Sequence, residues 1–465
     1  MRPQRRLFLL VLIAALASAG VWLAWSVTAA HRQEENLTRV TKSAPPPSLG
    51  KEEIAFLIGQ PVLEPGGLDG LTLRAGEGRA FLVESTLDPD LQDFLANLVS
   101  RAQAPVAAAV VLEPASGRVL ALASFNRLGK ETNYALSPAF PAASIIKIVT
   151  VAAAMEGAGL TPSSLIPYNG RPYTLYRSQL RERKTRWTRQ PTLAESFARS
   201  LNPVFGKLAL KPIGSAGMKE FVHRFGFNQT LRFELPLAPS RVEVPRDNTF
   251  ALATIGCGFN RNTTLSPLHG AMLAAAVVND GVMMEPTIIE RISLLDDGRP
   301  VREVYQSRPQ IFREVVSPQT AQAMRRMMRA TITKGTARRS FKGHSRDRVL
   351  GRLEIGGKTG SLNDITQTYR VDWFVGYARD EAGHKTLALA VMVAHDLKRR
   401  GISSRQLARQ TIRFYFNDRT ASQTVAQKPI AAPETAPQAH SAASNPSPKP
   451  EDSLSRKPPA KRRRR

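Results

Sequence analysis

A serine and a lysine three residues apart, at the head of an apolar stretch, constrain this chain more than any other feature. Ser144 and Lys147 are followed by residues 148–155, which carry no charge, and then by Gly157. This pattern predicts a buried helix that begins near Ser144. Residues three apart share one helix face, so we expect the Lys147 ammonium to reach the Ser144 hydroxyl.

Such a pair can carry out nucleophilic chemistry. Burial disfavours the charged form of an amine, so we expect a lowered pKa for Lys147. The neutral amine then accepts the proton of the Ser144 hydroxyl, whose oxygen becomes a nucleophile. Solvated helices also contain many Ser-x-x-Lys pairs by coincidence, so this pair does not establish a site by itself.

A second motif, Ser200-Leu-Asn202, follows a helix-like segment. Thr192 and Glu195 form a capping-box pattern at the start of that segment. Pro203 comes directly after Asn202 and disfavours one continuous helix. We therefore expect Ser200 and Asn202 at a turn between helices, from which side chains project into a cleft.

A third motif, Lys358-Thr359-Gly360-Ser361, continues a strand-like stretch over residues 349–355. Glycines within and before the motif allow close approach of another backbone, because they carry no side chain. We therefore expect a strand against which a substrate backbone lies.

In this order, the three motifs resemble those of the penicillin-binding protein transpeptidase and serine β-lactamase superfamily. The resemblance implies an α/β sandwich, in which an antiparallel five-stranded sheet packs against helices. It also implies catalytic roles for Ser144, Lys147, Ser200 and Lys358, and substrate-binding roles for Asn202, Thr359, Gly360 and Ser361.

The implied reaction is acyl transfer at a peptide carbonyl. Ser144 attacks, Lys147 takes its proton, and Ser200 relays that proton to the leaving amine. The positive field of Lys358 helps to keep the neighbouring lysine neutral.

The remaining roles concern substrate binding. The resemblance implies that Asn202 holds a substrate amide, while Lys358 and Thr359 bind the terminal carboxylate. Backbone N–H groups of Ser144 and Ser361 form the oxyanion hole.

The implied activity is that of a peptidoglycan DD-transpeptidase. The D-Ala-D-Ala end of a stem peptide acylates Ser144, and the acyl group passes to an amine on a neighbouring strand. A β-lactam traps the enzyme as a long-lived adduct. The implied partners are peptidoglycan stem peptides, β-lactams and proteins of cell-wall synthesis.

Two alternatives stay open. The first is hydrolysis, as a DD-carboxypeptidase or a β-lactamase-like hydrolase. The Glu-x-x-Leu-Asn pattern with which class A β-lactamases activate water does not follow the second motif, which disfavours rapid deacylation.

The second alternative is a non-catalytic β-lactam sensor or scaffold. It stays open because the stretch before the transpeptidase-like region is too short for the pedestal usual in class B penicillin-binding proteins.

Other patterns predict one sheet built from distant parts of the chain. Hairpins are predicted where two apolar stretches flank a turn, at residues 106–123 and 371–393. Helices are predicted from capping residues and apolar spacing, at residues 90–100, 264–281, 319–333 and 403–416.

The amino terminus predicts a transmembrane helix. Three arginines precede residues 7–30, which carry no charge and are long enough to cross a bilayer. The positive-inside rule places the tip in the cytoplasm and the catalytic domain on the extracytoplasmic side of the inner membrane. A cleavable signal peptide is the alternative, because Ala17-Ser-Ala19 matches a small-residue cleavage site.

Composition divides the chain into four parts. We expect a cytoplasmic tip and membrane anchor over 1–31, a stalk and short linker over 32–84, a transpeptidase domain over 85–419 and a disordered basic tail over 420–465. The tail is too poor in apolar residues to fold. Its terminal run of arginines suggests adhesion to an anionic polymer or lipid headgroup.

The net charge, the single cysteine and the histidine spacing narrow the possible functions further. A net charge of +27 favours anionic surroundings, but no zinc-finger or basic-zipper pattern indicates nucleic-acid binding as the main function. Cys257 is the only cysteine, which excludes an internal disulfide, and we expect it to be a buried structural thiol. The seven histidines show no ligand spacing, so neither a metal nor a cofactor is expected.

The basic stretch over residues 160–191 allows two interpretations. It is either a solvated surface loop or a rim of the substrate cleft. Its arginines and aromatic residues are compatible with both.

Overall fold

A computed structural model of the chain describes residues 50–58, 68, 70–74, 79–129, 132–247 and 249–417. The strands are β1 (Leu71–Arg74), β2 (Ala80–Ser85), β3 (Val106–Leu112), β4 (Val119–Asn126), β5 (Phe140–Pro141), β6 (Thr264–Leu265), β7 (Val282–Met284), β8 (Ile289–Asp296), β9 (Arg299–Gln306), β10 (Ile311–Glu314), β11 (Leu353–Asn363), β12 (Tyr369–Asp380) and β13 (Thr386–Asp396). The α-helices are α1 (Lys51–Ile58), α2 (Pro89–Ser100), α3 (Lys147–Ala152), α4 (Leu193–Arg199), α5 (Asn202–Leu208), α6 (Gly214–Arg224), α7 (Phe250–Cys257), α8 (Pro267–Val278), α9 (Pro318–Thr333) and α10 (Ser404–Phe416).

The central sheet joins the two predicted hairpins. Its five strands are ordered β11-β12-β13-β3-β4, and every neighbouring pair is antiparallel. The predicted antiparallel five-stranded sheet is therefore confirmed. β11, which carries the third motif, lies at one edge of this sheet.

Both faces of the central sheet are covered, which explains the continuous apolar sequence of its middle strands. Successive side chains of a strand point to opposite faces. In β3, Val110 joins the core on one face and Val111 the core on the other. α8 packs on the first face, while α2 and α10 pack on the second.

The predicted helices agree with these elements to within a few residues. α2 begins at a proline after Asp88, whose carboxylate accepts a hydrogen bond from the Leu91 N–H at 3.0 Å. α9 begins in the same way after Ser317, whose hydroxyl accepts from the Thr320 N–H at 3.3 Å. The strand predicted from residue 349 begins only at Leu353, because residues 350–352 form a 3-10 turn.

A second sheet was not predicted. β1, β2, β8 and β9 form four antiparallel strands in that order. β2 ends at Ser85, so the boundary predicted between residues 84 and 85 falls inside an element. The stretch expected to be a linker thus pairs with strands far along the chain, while the domain boundaries themselves stay predictions.

Two predicted segments lie outside the described residues. These are the transmembrane helix within residues 1–31 and the basic tail over residues 420–465. Within the described part of the chain, no helix has the length and apolar character that a bilayer span requires.

Candidate active site

Ser144 lies on a short 3-10 helix, Ala143–Ile146, that leads directly into α3. Ile145, Ile146 and Ile148 are fully buried, and the Lys147 side chain is 0% exposed. The apolar sequence therefore forms the predicted buried helix, although its first turn is 3-10 rather than α.

The second motif forms the predicted turn between two helices. Ser200 ends α4 with a left-handed backbone, φ 59°, and Asn202 opens α5. A non-glycine residue rarely adopts this conformation, so the surrounding contacts must hold it. The Asn202 backbone N–H donates to the Pro172 carbonyl at 2.8 Å, and its side-chain Nδ2 donates to the Tyr173 carbonyl at 3.0 Å.

Lys147 joins the first two motifs. Its Nζ lies 3.0 Å from Ser144 Oγ and 3.0 Å from Ser200 Oγ. It also lies 2.7 Å from Asn202 Oδ1 and 3.1 Å from the Ser200 carbonyl oxygen. The amine is thus surrounded by acceptors, one of which is the expected nucleophile.

Lys358 joins the third motif to this cluster. Its Nζ donates to Ser200 Oγ and to the Thr359 carbonyl, each at 2.9 Å. The Ser200 hydroxyl consequently lies between two amines. The Thr359 hydroxyl in turn lies 2.6 Å from the Thr336 hydroxyl.

Burial sets the protonation of both lysines. It lowers the pKa of Lys147 to about 8, and the neighbouring Cys257 opposes the shift. Burial, followed by the charge of Lys147, holds the pKa of Lys358 well below its usual value. Both amines lie at hydrogen-bond distance from the Ser200 hydroxyl, so they are close to each other. A positive charge on either amine therefore disfavours protonation of the other.

Aromatic rings line the buried side of the two amines. Lys147 Nζ lies 5.4 Å from the centroid of the Phe205 ring, and Lys358 Nζ lies 5.6 Å from that of Phe197. The rings exclude water from this side, which maintains the desolvation that lowers each pKa.

These motifs open onto a cleft of about 520 Å³. Six of the eight predicted site residues line it: Ser144, Ser200, Asn202, Thr359, Gly360 and Ser361. Lys147 and Lys358 are fully buried behind its wall. The structure therefore brings all three motifs together around one cleft.

The remaining lining residues include several that sequence reasoning missed. Phe259 is an exposed aromatic residue on the rim, and Thr336 lies 22 residues before Lys358. Arg370 and Arg405 also line the cleft. No motif singles out these two arginines, because β12 and α10 bring them to the cleft only in the folded protein.

Each of the two interpretations of residues 160–191 applies to one part of that stretch. Tyr173 lines the cleft, with its side chain largely exposed. The part over residues 181–187 is solvated, and Trp187 is 73% exposed. Only the first part therefore forms a rim.

Cys257 has the environment of a structural thiol. It is fully buried at the end of α7, and burial raises its pKa to about 11. A thiol that keeps its proton is a poor nucleophile.

Among the described residues, no group of three His, Cys, Asp or Glu side chains is arranged to hold a metal ion.

Gly258 fixes the turn that carries Ser144. Its φ is +70°, and a Cβ there would lie 2.0 Å from the Ala143 carbonyl oxygen and 2.9 Å from the Ser144 nitrogen. Ala143 itself has a positive φ of 48°. The strained backbone before Ser144 thus depends on the close approach of a residue without a side chain.

We expect Gly258→Ala to destabilise the fold by about 2 kcal/mol or more and to slow chemistry at Ser144, because the added methyl displaces its turn. Thermal unfolding measures the first effect. Gly343→Ala is the matched control, since Gly343 has φ +76° but no atom within 4 Å of the added Cβ. Equal destabilisation by both substitutions would contradict a role for the Ala143 contact.

Comparisons with known proteins agree with this architecture. Residues 107–413 match the sequence model of the penicillin binding protein transpeptidase domain. The chain is 27% identical over 299 residues to penicillin-binding protein PbpB of Mycolicibacterium smegmatis, which covers 61% of this chain and 45% of the relative. It is 26% identical over 366 residues to the peptidoglycan D,D-transpeptidase PbpA of Mycobacterium tuberculosis, covering 70% of each. The chain thus spans less than half of the PbpB relative.

Solved structures show the same fold. The crystal structure of PBPA from Mycobacterium tuberculosis has a TM-score of 0.57 at 24% identity, covering 71% of this chain and 80% of that one. The apo form of penicillin binding protein 3 from the same genus has a TM-score of 0.60 at 22% identity, covering 79% and 89%.

Proposed function

Because the chain belongs to the penicillin-binding protein transpeptidase family, we propose that it is a serine-type peptidoglycan D,D-transpeptidase. The observation that carries this proposal is the convergence of Ser144, Lys147, Ser200 and Lys358 at hydrogen-bond distance. The substrate is the D-Ala-D-Ala end of a stem peptide, as the name of the PbpA relative supports.

Acylation begins at Ser144. The neutral Lys147 amine takes the hydroxyl proton as Oγ attacks the carbonyl of the penultimate D-Ala. The resulting oxyanion is stabilised by the backbone N–H groups of Ser144 and Ser361, where one such donor is worth about 2.7–4 kcal/mol. The motif order, with Ser361 beside the cleft, supports this assignment.

A proton then leaves with the terminal D-Ala. Ser200 Oγ, at 3.0 Å from the Lys147 amine, accepts a proton from it and passes its own to the departing nitrogen. The carbon–nitrogen bond breaks, and Ser144 keeps the acyl group as an ester. An acceptor amine later attacks this ester, which restores the hydroxyl and forms the cross-link.

Three residues position the donor. Lys358 and Thr359 bind the terminal carboxylate, whose negative charge favours the protonated form of Lys358 and leaves Lys147 neutral. Asn202 has its Oδ1 at Lys147 and one Nδ2 hydrogen at Tyr173. Its second Nδ2 hydrogen remains to hold a substrate amide.

We expect acylation to rise with pH to a plateau, with a midpoint near 8. Below the Lys147 pKa of about 8 the amine carries a proton and cannot accept another. Above it, the amine is neutral and acts as base. The second-order rate of benzylpenicillin acylation between pH 5.5 and 9.5 measures this, and a rate that falls across that midpoint would count against Lys147 as the base.

The proposed activity is tested with the full chain and a donor peptide ending in D-Ala-D-Ala. Incubation with and without an amine acceptor should yield free D-Ala and, with the acceptor, a joined product. Free D-Ala without joined product at any acceptor concentration would favour the carboxypeptidase alternative. Loss of both products, with benzylpenicillin still bound, would favour the sensor alternative.

We further propose that residues 1–31 anchor the protein in the cytoplasmic membrane, with the transpeptidase domain outside. The support is the arginine-flanked uncharged run over residues 7–30. The full chain should stay in the membrane fraction after an alkaline wash. A mature protein whose first residue lies just after Ala19 would instead establish the signal-peptide alternative.

A further inference from the structure

A second pocket lies outside the cleft, where α9 ends. It encloses about 500 Å³ and shares no lining residue with the cleft. Four of its nine lining residues are basic: Arg338, Arg339, Lys342 and His344. No Asp or Glu is among the described residues that line it. The proposed chemistry uses none of these side chains.

Neighbouring acids do not neutralise this positive charge. Within the described part of the chain, the side chains of Arg338, Arg339 and Lys342 form no ion pair. The acid closest in sequence, Asp347, is paired with Arg413 Nε at 3.2 Å instead. Over residues 334–352 there are seven Lys and Arg residues against this single Asp. An anion bound here would gain charge-assisted hydrogen bonds that the protein itself leaves unmade.

The backbone that carries these cations is fixed by buried contacts. Phe341 is fully buried, and its ring centroid lies 5.6 Å from that of Phe374 in the central sheet. Arg409 of α10 donates through Nη1 to the Ser340 and Lys342 carbonyl oxygens, each at 3.1 Å. A ligand therefore meets a segment that is already folded, which lowers the entropy cost of binding.

The basic residues of the pocket suit phosphate groups. A tetrahedral phosphate presents oxygens in several directions, so it can accept hydrogen bonds from separate donors at once. Arg338 and Arg339 supply planar forks, and Lys342 supplies a compact charge. Ser345 adds a hydroxyl to the lining. A planar carboxylate, in contrast, is matched by a single guanidinium fork.

The surroundings of the pocket favour a soluble polymer over a lipid bilayer. Protein surfaces that lie in the headgroup region expose apolar side chains next to their basic residues. Here the two large apolar lining residues, Ile332 and Phe341, are 1% and 0% exposed. No large apolar side chain is exposed anywhere over residues 312–364. A polymer also carries phosphates in series, which matches a positive charge that extends over residues 334–352.

We propose that this pocket binds an anionic polymer whose charges are phosphate groups, with Arg338, Arg339 and Lys342 as the main contacts. Such binding holds the transpeptidase domain on a phosphate-rich surface and leaves the cleft open, because the pocket and the cleft share no residue. The site is separate from the basic tail, and the inference does not depend on the catalytic roles proposed above.

The test locates the bound polymer by the protection of individual arginines. The full chain in phosphatidylcholine vesicles is treated with phenylglyoxal, which modifies exposed guanidinium groups, with and without inorganic polyphosphate. Digestion and mass spectrometry then give the rate of modification at each arginine. Polyphosphate at about ten times its dissociation constant should slow modification of Arg338 and Arg339 by about tenfold. Arg181 and Arg183, which are equally exposed, are the internal control and should change little.

Two triple variants of equal charge measure the affinity. Arg338→Gln/Arg339→Gln/Lys342→Gln should weaken polyphosphate binding by roughly tenfold to a hundredfold. Arg181→Gln/Arg183→Gln/Lys184→Gln removes the same charge from the solvated stretch and should weaken it far less, because salt screens exposed charges. Both variants should keep the wild-type rate of benzylpenicillin acylation.

Equal weakening by the two triple variants, or no greater protection of Arg338 and Arg339 than of the control arginines, would overturn the site. If the pocket variant unfolds early in a thermal melt, Arg338→Gln/Arg339→Gln should still weaken binding severalfold. Equal protection by polyglutamate of the same charge would overturn the assignment to phosphate. Protection by phosphatidylglycerol added to the vesicles, without polyphosphate, would overturn the polymer in favour of a lipid headgroup.

Discussion

Ser144→Ala is expected to abolish covalent labelling of the full chain by fluorescent penicillin. The substitution removes a hydroxyl that lies 3.0 Å from the Lys147 amine, in the short helix beside the cleft. Without the oxygen no ester can form, and the loss should be complete rather than partial. Gel fluorescence after a timed incubation measures the effect.

Ser361→Ala is the matched control for this experiment. It removes a hydroxyl from the same cleft but keeps the backbone N–H proposed for the oxyanion hole. We expect it to retain labelling. Persistent labelling of Ser144→Ala at the wild-type rate would remove Ser144 as the nucleophile.

Lys147→Met should lower the second-order rate of acylation by about 10²–10⁴-fold, the usual contribution of a general base. The methionine side chain has nearly the length of lysine but accepts no proton. The inflection near pH 8 should vanish together with the rate, because the titrating amine is gone. Stopped-flow or quenched acylation with benzylpenicillin measures both.

Lys358→Met separates the two lysines. Lys358 is proposed to bind the substrate carboxylate, so its loss should mainly raise the concentration of penicillin that half-saturates acylation. The inflection should persist in this variant, at pH 8 or above, because loss of the neighbouring amine removes a charge that opposes protonation of Lys147. An unchanged rate of acylation in Lys147→Met would remove Lys147 as the general base. Loss of the inflection only in Lys358→Met would assign that role to Lys358 instead.

The local parts of the site could be predicted from the sequence. Ser144 and Lys147 are three residues apart in an apolar stretch, and helix geometry alone brings their side chains together. Ser200 and Asn202 were expected at a turn because Pro203 disfavours a continuous helix. The five-stranded sheet followed from family resemblance and from two hairpins whose apolar residues are continuous.

The parts of the site and fold that depend on tertiary contacts could not be predicted from the sequence. Arg370 and Arg405 line the cleft because β12 lies beside β11 and α10 packs against the sheet. The left-handed backbone of Ala143 leaves no trace in its own sequence, since it depends on Gly258 more than a hundred residues away. Six of the eight residues of β9 are exposed, so its sequence lacks the apolar alternation that predicts a strand.

The acyl group should be found on Ser144 itself. The full chain, treated with benzylpenicillin and digested with a protease, should give one modified peptide by mass spectrometry, and fragmentation should assign the added mass to Ser144. Added mass on Ser200, on Ser361 or on Cys257, with Ser144 unmodified, would contradict the arrangement in which the buried amine of Lys147 activates the hydroxyl beside it.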